Sequence, residues 1–225
     1  KPIHTDTPAG TRFKDFFKKN FKGQLYYLPK GSRAQSQAEV AAYELDKFFK
    51  FGLTPASQMT TIGGKEGAFQ FFLDGYQDAA KLIPELEKER RQFNAEEKHS
   101  FQNLAVFDYL IGNLDRHDEN WFIPKNSHKE LNIRAIDNAN SFLVKNPETP
   151  TKIKNQYAWK DLKIAQQPFD DTTRKFMKEL TDEKVNAFIR QLKEEKPDIA
   201  SLFDNEKIKE NLLKRAAVLR KIADA

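Results

Sequence analysis

The chain has 225 residues, 39% hydrophobic and 12% aromatic, a balance too apolar for a disordered polymer even with 32% charged residues. No apolar run approaches the ~18 residues that span a bilayer, and the absence of cysteine excludes disulfides, thiolate chemistry and zinc ribbons. The net charge of +5, with a pI near 9.1, describes a mildly basic surface suited to phosphate-bearing partners and too weak an excess to point to nucleic acid.

The first part of the chain, to about residue 75, reads as mixed α and β. Pro8-Ala9-Gly10-Thr11-Arg12-Phe13 is a loop with one glycine. In the stretch that follows, Lys14, Lys18, Lys19 and Lys22 interleave with Phe13, Phe16, Phe17 and Phe21, so a helix here would carry a basic edge. Gln24-Leu25-Tyr26-Tyr27-Leu28 is a short strand bounded by Gly23 and Pro29-Lys30-Gly31. Ser36 followed by Glu39 has the spacing of a helix start in which serine caps and glutamate returns the bond. That helix buries Val40, Tyr43, Leu45 and Phe48 or Phe49 and ends near Phe51-Gly52. Ile62-Gly63-Gly64-Lys65 is a tight turn between two strands, and Ala68 to Leu73 is the strongest strand pattern in the chain.

The remainder is mainly helical. Leu82 to Arg91 alternates acidic and basic residues, as in a solvent-facing helix. Glu96 to Ile111 has apolar residues at 101, 104, 105, 107, 110 and 111, a face wide enough to predict burial, and Gly112-Asn113 stops it. Strands are predicted around Trp121-Phe122-Ile123 and over Leu131 to Ile136, and two or three amphipathic helices from Asp170 to the end. Lys152, Lys154, Lys160 and Lys163 form a second basic concentration near Tyr157 and Trp159.

The polar constellation Asn113-Leu114-Asp115-Arg116-His117-Asp118-Glu119-Asn120 lies between elements that read as buried, so a freely solvated loop is a poor description of it. Arg134-Ala135-Ile136-Asp137-Asn138 then sets a carboxylate at the end of a buried strand. Phosphoryl transfer uses such parts: a carboxylate to orient the attacking hydroxyl, and an Asp with an Asn as oxygen ligands for magnesium or manganese. The four histidines, His4, His99, His117 and His128, contain no i, i+4 pair suited to zinc.

The string from Phe107 to Trp121, with Ile136-Asp137-Asn138 after it, resembles the signature of atypical kinases. The nearest groups are the HipA-like protein kinases, the actin-fragmin kinases and the type II phosphatidylinositol 4-kinases. The resemblance implies an α+β, two-lobed protein-kinase-like fold, with a sheet-rich N-lobe over residues 1–75 and a helical C-lobe over 76–225. It makes Asp115 the catalytic-loop aspartate, Asn120 a metal ligand, and Asp137 the aspartate holding the metal that bridges the ATP phosphates. Arg116 and His117 divide between functional and supporting roles, whereas Asp108 and Asn113 fit a structural role at the helix end.

In the N-lobe the resemblance nominates Glu39 as partner of the ATP-binding lysine and Lys30 as that lysine. Type II lipid kinases have Lys where Leu28 stands, then Pro and another Lys, so Lys30 is two residues out of register and Pro29 interrupts the strand. Gly10 falls where the family often has a Gly-Ser turn over the phosphates, and the stretch from Phe69 to Leu73, with Phe71 and Leu73, would be the hinge whose backbone meets adenine. No Ala-Pro-Glu element follows Asp137, so activation-loop phosphorylation gains no support.

The resemblance thus implies ATP as cofactor with Mg²⁺ or Mn²⁺. A protein Ser/Thr acceptor ranks first, because the order Asp115-Arg116-His117 is closer to the HipA-like group. A phosphoinositide kinase is the alternative and a pseudokinase binding module the second. The basic stretches read first as solvated lysines, with an inositol phosphate or phosphoinositide as their candidate partner. By analogy with the family, a small kinase of this kind would be cytoplasmic, or a bacterial effector delivered into a host cell.

Overall fold

The computed structural model describes residues 26–27, 32–88, 92–125, 132–145, 156–157, 159 and 162–224. The expectations for Gly10, Lys30, the basic stretch from Phe13 to Lys22, and Lys152, Lys154 and Lys160 lie outside these residues.

A two-residue strand, β1 (Tyr26–Tyr27), precedes helix α1 (Ser32–Phe49). The helix begins four residues before the predicted Ser36 start, so Ser36 and Glu39 are interior positions and form no capping pair. Burial explains the difference: Ala38, Val40, Ala41, Ala42 and Leu45 are all fully buried, and packing rather than a cap signal sets helix length. The chain leaves α1 through Lys50 and Gly52, both at positive φ. There the Asp46 carboxylate accepts hydrogen bonds from the Gly52 amide at 2.6 Å, the Leu53 amide at 2.8 Å and the Thr54 hydroxyl at 2.6 Å.

Strands β2 (Ser57–Ile62) and β3 (Lys65–Gln70) form the predicted hairpin, with Ile62 opposite Lys65. Gly63 (φ 56°) and Gly64 (φ 76°) supply the two left-handed positions that such a turn needs. The predicted strand over Ala68 to Leu73 is corrected here: β3 stops at Gln70, and Phe71 and Phe72 are 72% and 84% exposed. The aromatic residues at its end are left uncovered because α1 packs on the hairpin face that carries Ser57, Met59 and Gln70.

Strand β4 (Tyr76–Asp78) leads into α2 (Ala79–Lys88), which buries Ala79 and Ile83 and packs Leu82 against the core. Helix α3 (Ala95–Ile111) is buried around much of its circumference, as the width of its apolar face predicted. Its start is a capping box between Asn94 and Glu97, and Gly112 (φ 65°) ends it in the left-handed conformation. Strand β5 (Asp115–Arg116), a 3₁₀ turn (Asp118–Asn120) and β6 (Trp121–Pro124) follow. Then come β7 (Arg134–Ala135), shorter than predicted, β8 (Val144–Lys145) and β9 (Gln156–Tyr157). Strands β4, β6 and β7 make an antiparallel sheet, β5 pairs with β9 in parallel, and β1 pairs with β8.

Helices α4 (Asp171–Lys178), α5 (Asp182–Glu195), the short α6 (Pro197–Ala200) and α7 (Glu206–Asp224) complete the chain. Where two or three amphipathic helices were expected from Asp170 onward, there are three longer helices and the short α6, with Asp170 and Thr181 as side-chain caps of α4 and α5. Helix α7 turns Ile208, Leu212, Ala216, Leu219 and Ala223 inward at helical spacing against α3 and α4. The architecture is α+β, with α1 and the hairpin leading into a larger helical part.

Candidate active site

The site is built from the end of α3 outward. Asp108, on the last turn of α3, is completely buried and lies against the guanidinium of Arg116, also completely buried. Burial raises the Asp108 carboxyl above its ordinary pKa, and the charge and hydrogen bonds of Arg116, with the Trp159 indole N–H at 3.2 Å, oppose that rise.

Arg116 uses all five of its N–H donors. Nε and Nη2 reach Asp108 Oδ1 at 3.1 and 2.9 Å. Nη1 donates to the Asn120 carbonyl at 2.7 Å and to the Ile136 carbonyl at 2.6 Å. The second Nη2 hydrogen goes to Asn138 Oδ1 at 2.5 Å. One side chain therefore fixes the loop containing Asp115 and Asn120 and the segment containing Asp137. Of the two readings open for Arg116, the support of these two loops is the one its contacts describe.

Around this hub the polar loop is closed by short-range bonds. Asn113 Oδ1 accepts from the Asp115 amide at 2.9 Å, and the Asn113 carbonyl accepts from the Tyr157 hydroxyl at 2.5 Å. His117 Nδ1 accepts from the Glu119 amide at 3.2 Å, capping the 3₁₀ turn. Asn120, only 4% exposed, donates through Nδ2 to the Asp115 carbonyl at 2.9 Å, and no described residue donates to its Oδ1. The half-buried Asp115 carboxylate accepts from Asn140 Nδ2 at 2.9 Å through Oδ2. Its Oδ1 receives no hydrogen bond from a described residue.

Asp137 is exposed and sits at φ 52°, a left-handed conformation that aspartate tolerates better than most residues and that occurs at functional sites. Next to it, the buried Asn138 donates to Glu39 Oε1 at 3.2 Å, and Gln70 donates to the same oxygen at 2.9 Å. Glu39 is buried; that burial and the nearby charge of Asp137 raise its carboxyl pKa, against the lowering effect of Arg116 and Asn138. A continuous hydrogen-bonded chain thus runs from the half-buried Gln70 of the hairpin through the buried Glu39, Asn138 and Arg116 to Asp108.

Of the residues nominated from the sequence, Asp115 and Asn120 are directly bonded, and Glu39 is joined to Asp137's neighbour. Phe71 and Leu73 follow Gln70 on the link between β3 and β4, without a bond to this network. Asn138, Asn140 and Gln70 were passed over as binding or supporting residues; the dense run Asp137-Asn138-Ala139-Asn140 was the available signal. A separate cavity of about 690 Å³ is lined by Phe51, His99, Asn103, Ile133 and Phe169 among others, and none of Glu39, Asp115, Asn120 or Asp137 borders it.

Among the described residues no group of three or more His, Cys, Asp or Glu side chains converges on one point. The donor set of Asn120 Oδ1 and the Asp137 carboxylate still suits a hard divalent cation. Magnesium is commonly held by one or two protein oxygens, with phosphate and water completing its shell.

Residues 10–222 match the family described as phosphatidylinositol 3- and 4-kinase. The chain is 28% identical over 171 residues to the chicken (Gallus gallus) phosphatidylinositol 4-kinase type 2-beta, covering 63% of this chain and 33% of that one. It is 30% identical to the Xenopus tropicalis type 2-beta enzyme, covering 57% of this chain and 29% of that protein. The chain thus spans about a third of the length of the curated relatives it matches. A solved structure, the Helicobacter pylori proinflammatory kinase CtkA, aligns with a TM-score of 0.44 at 16% identity, over 91% of this chain and 89% of that one. The resemblance to atypical kinases is borne out, and the chain belongs to the phosphatidylinositol 3- and 4-kinase family.

Proposed function

We propose that this chain transfers the γ-phosphate of ATP to a hydroxyl of a phosphoinositide lipid. What carries the reading is the bonded Asp115–Asn120 loop, locked by Arg116 to the Asp137 segment, within a region that matches a lipid-kinase family. The protein Ser/Thr acceptor that ranked first on the sequence gives way to the phosphoinositide alternative, because the relatives are phosphatidylinositol 4-kinases by name.

In this reading Asp115 Oδ1 accepts a hydrogen bond from the acceptor hydroxyl and draws its proton as the phosphoryl group moves. Asn140 holds the other carboxylate oxygen and so fixes the direction of the first. Asn120 and Asp137 would hold Mg²⁺ or Mn²⁺, which when bound neutralises charge on the phosphates. Glu39 is the residue for the ATP-anchoring lysine to pair with, and Lys30 is the candidate for that lysine. Gly10 would lie over the phosphates, and the backbone of Phe71 and Leu73 would meet the adenine between lobes of residues 1–75 and 76–225.

Incubation with γ-labelled ATP, in parallel with phosphatidylinositol vesicles and with a protein mixture, tests the acceptor. Label in the lipid alone is expected; label in protein alone returns the acceptor to Ser/Thr, and no label in either supports a pseudokinase.

Glu39 gives a second test. Its raised pKa means that the folded chain binds the proton more tightly than the unfolded chain, so this group removes stability as pH rises from below 4.5 through its folded pKa. Glu39→Gln keeps an acceptor for Gln70 and Asn138 without the charge. The variant should gain stability relative to wild type as pH rises towards neutrality, while its affinity for ATP falls. Urea unfolding across pH and nucleotide titration measure the two effects.

A further inference from the structure

Helix α1 has two working faces. At 100° per residue, Glu44 and Phe48 lie within about 20° of Gln37 around the helix, whereas Glu39 is about 160° away. The Glu39 face meets Gln70 and Asn138. The opposite face meets the C-terminal helices, and its contacts are specific. Gln37 Nε2 donates to the Asp198 carbonyl at 2.6 Å and to the Ser201 hydroxyl at 3.0 Å. Glu44, 4% exposed, receives Lys196 Nζ at 2.6 Å and Lys47 Nζ at 2.6 Å. Phe48 packs against Phe188 of α5 with ring centroids 5.6 Å apart and the rings tilted by 59°.

The contacts of Gln37, Glu44 and Phe48 with the C-terminal helices bridge from 140 positions of sequence, Phe48 to Phe188, up to 164, Gln37 to Ser201. They fasten to the helical part a helix whose other face completes the candidate site. We propose that Gln37, Glu44 and Lys196 are positioning residues that clamp α1 against α5, α6 and the turn after it, and thereby hold Glu39 at Asn138 beside Asp137. Glu39 is then kept in place by the fold, with no swing of α1 needed to assemble the site. The kinetic consequence rests on the kinase reading; the mechanical one does not.

The double variant Gln37→Ala, Lys196→Met loosens the clamp without stranding a bare charge, because Glu44 keeps Lys47. Hydrogen exchange in the full chain should rise over α1 and also at Ile136, Ser141 and Phe142. Their amides donate to the carbonyls of Asn120, Asn138 and Ile111, and none of these bonds involves a mutated position. Exchange in α7 should be unchanged, showing that the fold persists. Turnover with phosphatidylinositol vesicles should fall about tenfold at unchanged lipid KM, whereas Lys196→Arg in an otherwise wild-type chain, which keeps the charge, should retain full turnover. Exchange that rises in α1 but not around Asn138 overturns the proposal, as does a loosened Asn138 segment with unchanged turnover. If wild type transfers no phosphate while exchange still couples α1 to Asn138, the clamp stands and the kinase reading falls.

Discussion

Asp115→Asn should lower turnover by about a thousandfold, within the range general-base groups contribute, with little change in fold or in ATP affinity. The substitution keeps size and shape, and the new side chain can still accept from Asn140, the one hydrogen bond its carboxylate makes to a described residue. What it loses is the charge and basicity at Oδ1, which the proposed reaction needs only as the acceptor hydroxyl gives up its proton. A thousandfold loss corresponds to about 4 kcal/mol of transition-state stabilisation. The Asp115 amide and carbonyl, bonded to Asn113 and Asn120, are untouched, so loop geometry should persist. Steady-state rates with labelled ATP, beside the thermal unfolding of both proteins, separate a chemical loss from a structural one.

Arg116→Met should have the largest effect on stability, about 3–5 kcal/mol, the usual consequence of removing one partner of a buried ion pair. That is a large share of the roughly 5–15 kcal/mol that holds a typical domain folded. Asp108 would be left fully buried against Trp159 without its counter-charge, and the carbonyls of Asn120 and Ile136 would lose their shared donor. Adding Asp108→Leu should return part of the stability, because the uncompensated charge is gone. Activity should not return, since Arg116 also ties Asn120 to the Asp137 segment. Arg116→Lys should rescue poorly: an ammonium has three donors, and this site uses five in a planar array. Urea unfolding of the single and double variants, with phosphate transfer measured on each, tests both halves.

These two residues also show what was legible in the sequence. Asp115, Asn120 and Asp137 stood out because oxygen-bearing side chains were packed between apolar elements, and the helix before them announced its burial and its glycine stop. Arg116 was seen but its role was not, because its partners are 4, 8, 20 and 22 positions away and three of its acceptors are backbone carbonyls or an amide. Spacing along a chain does not reveal which carbonyls will face one guanidinium. Glu39 was found by resemblance while its local reading as a capping residue failed: burial of the alanine-rich stretch carries α1 back to Ser32. The aromatic run from Phe69 to Phe72 misled for the opposite reason, since strand propensity says nothing about whether a second layer covers the strand.

The most direct measurement is transfer of labelled phosphate from ATP to phosphatidylinositol vesicles by wild type and Asp115→Asn side by side. Rapid labelling of the lipid by wild type, and about a thousandfold slower labelling by the folded variant, is the expected result. Equal labelling by both proteins would contradict the assignment of Asp115, and absence of labelled lipid with wild type would contradict the lipid-kinase reading itself.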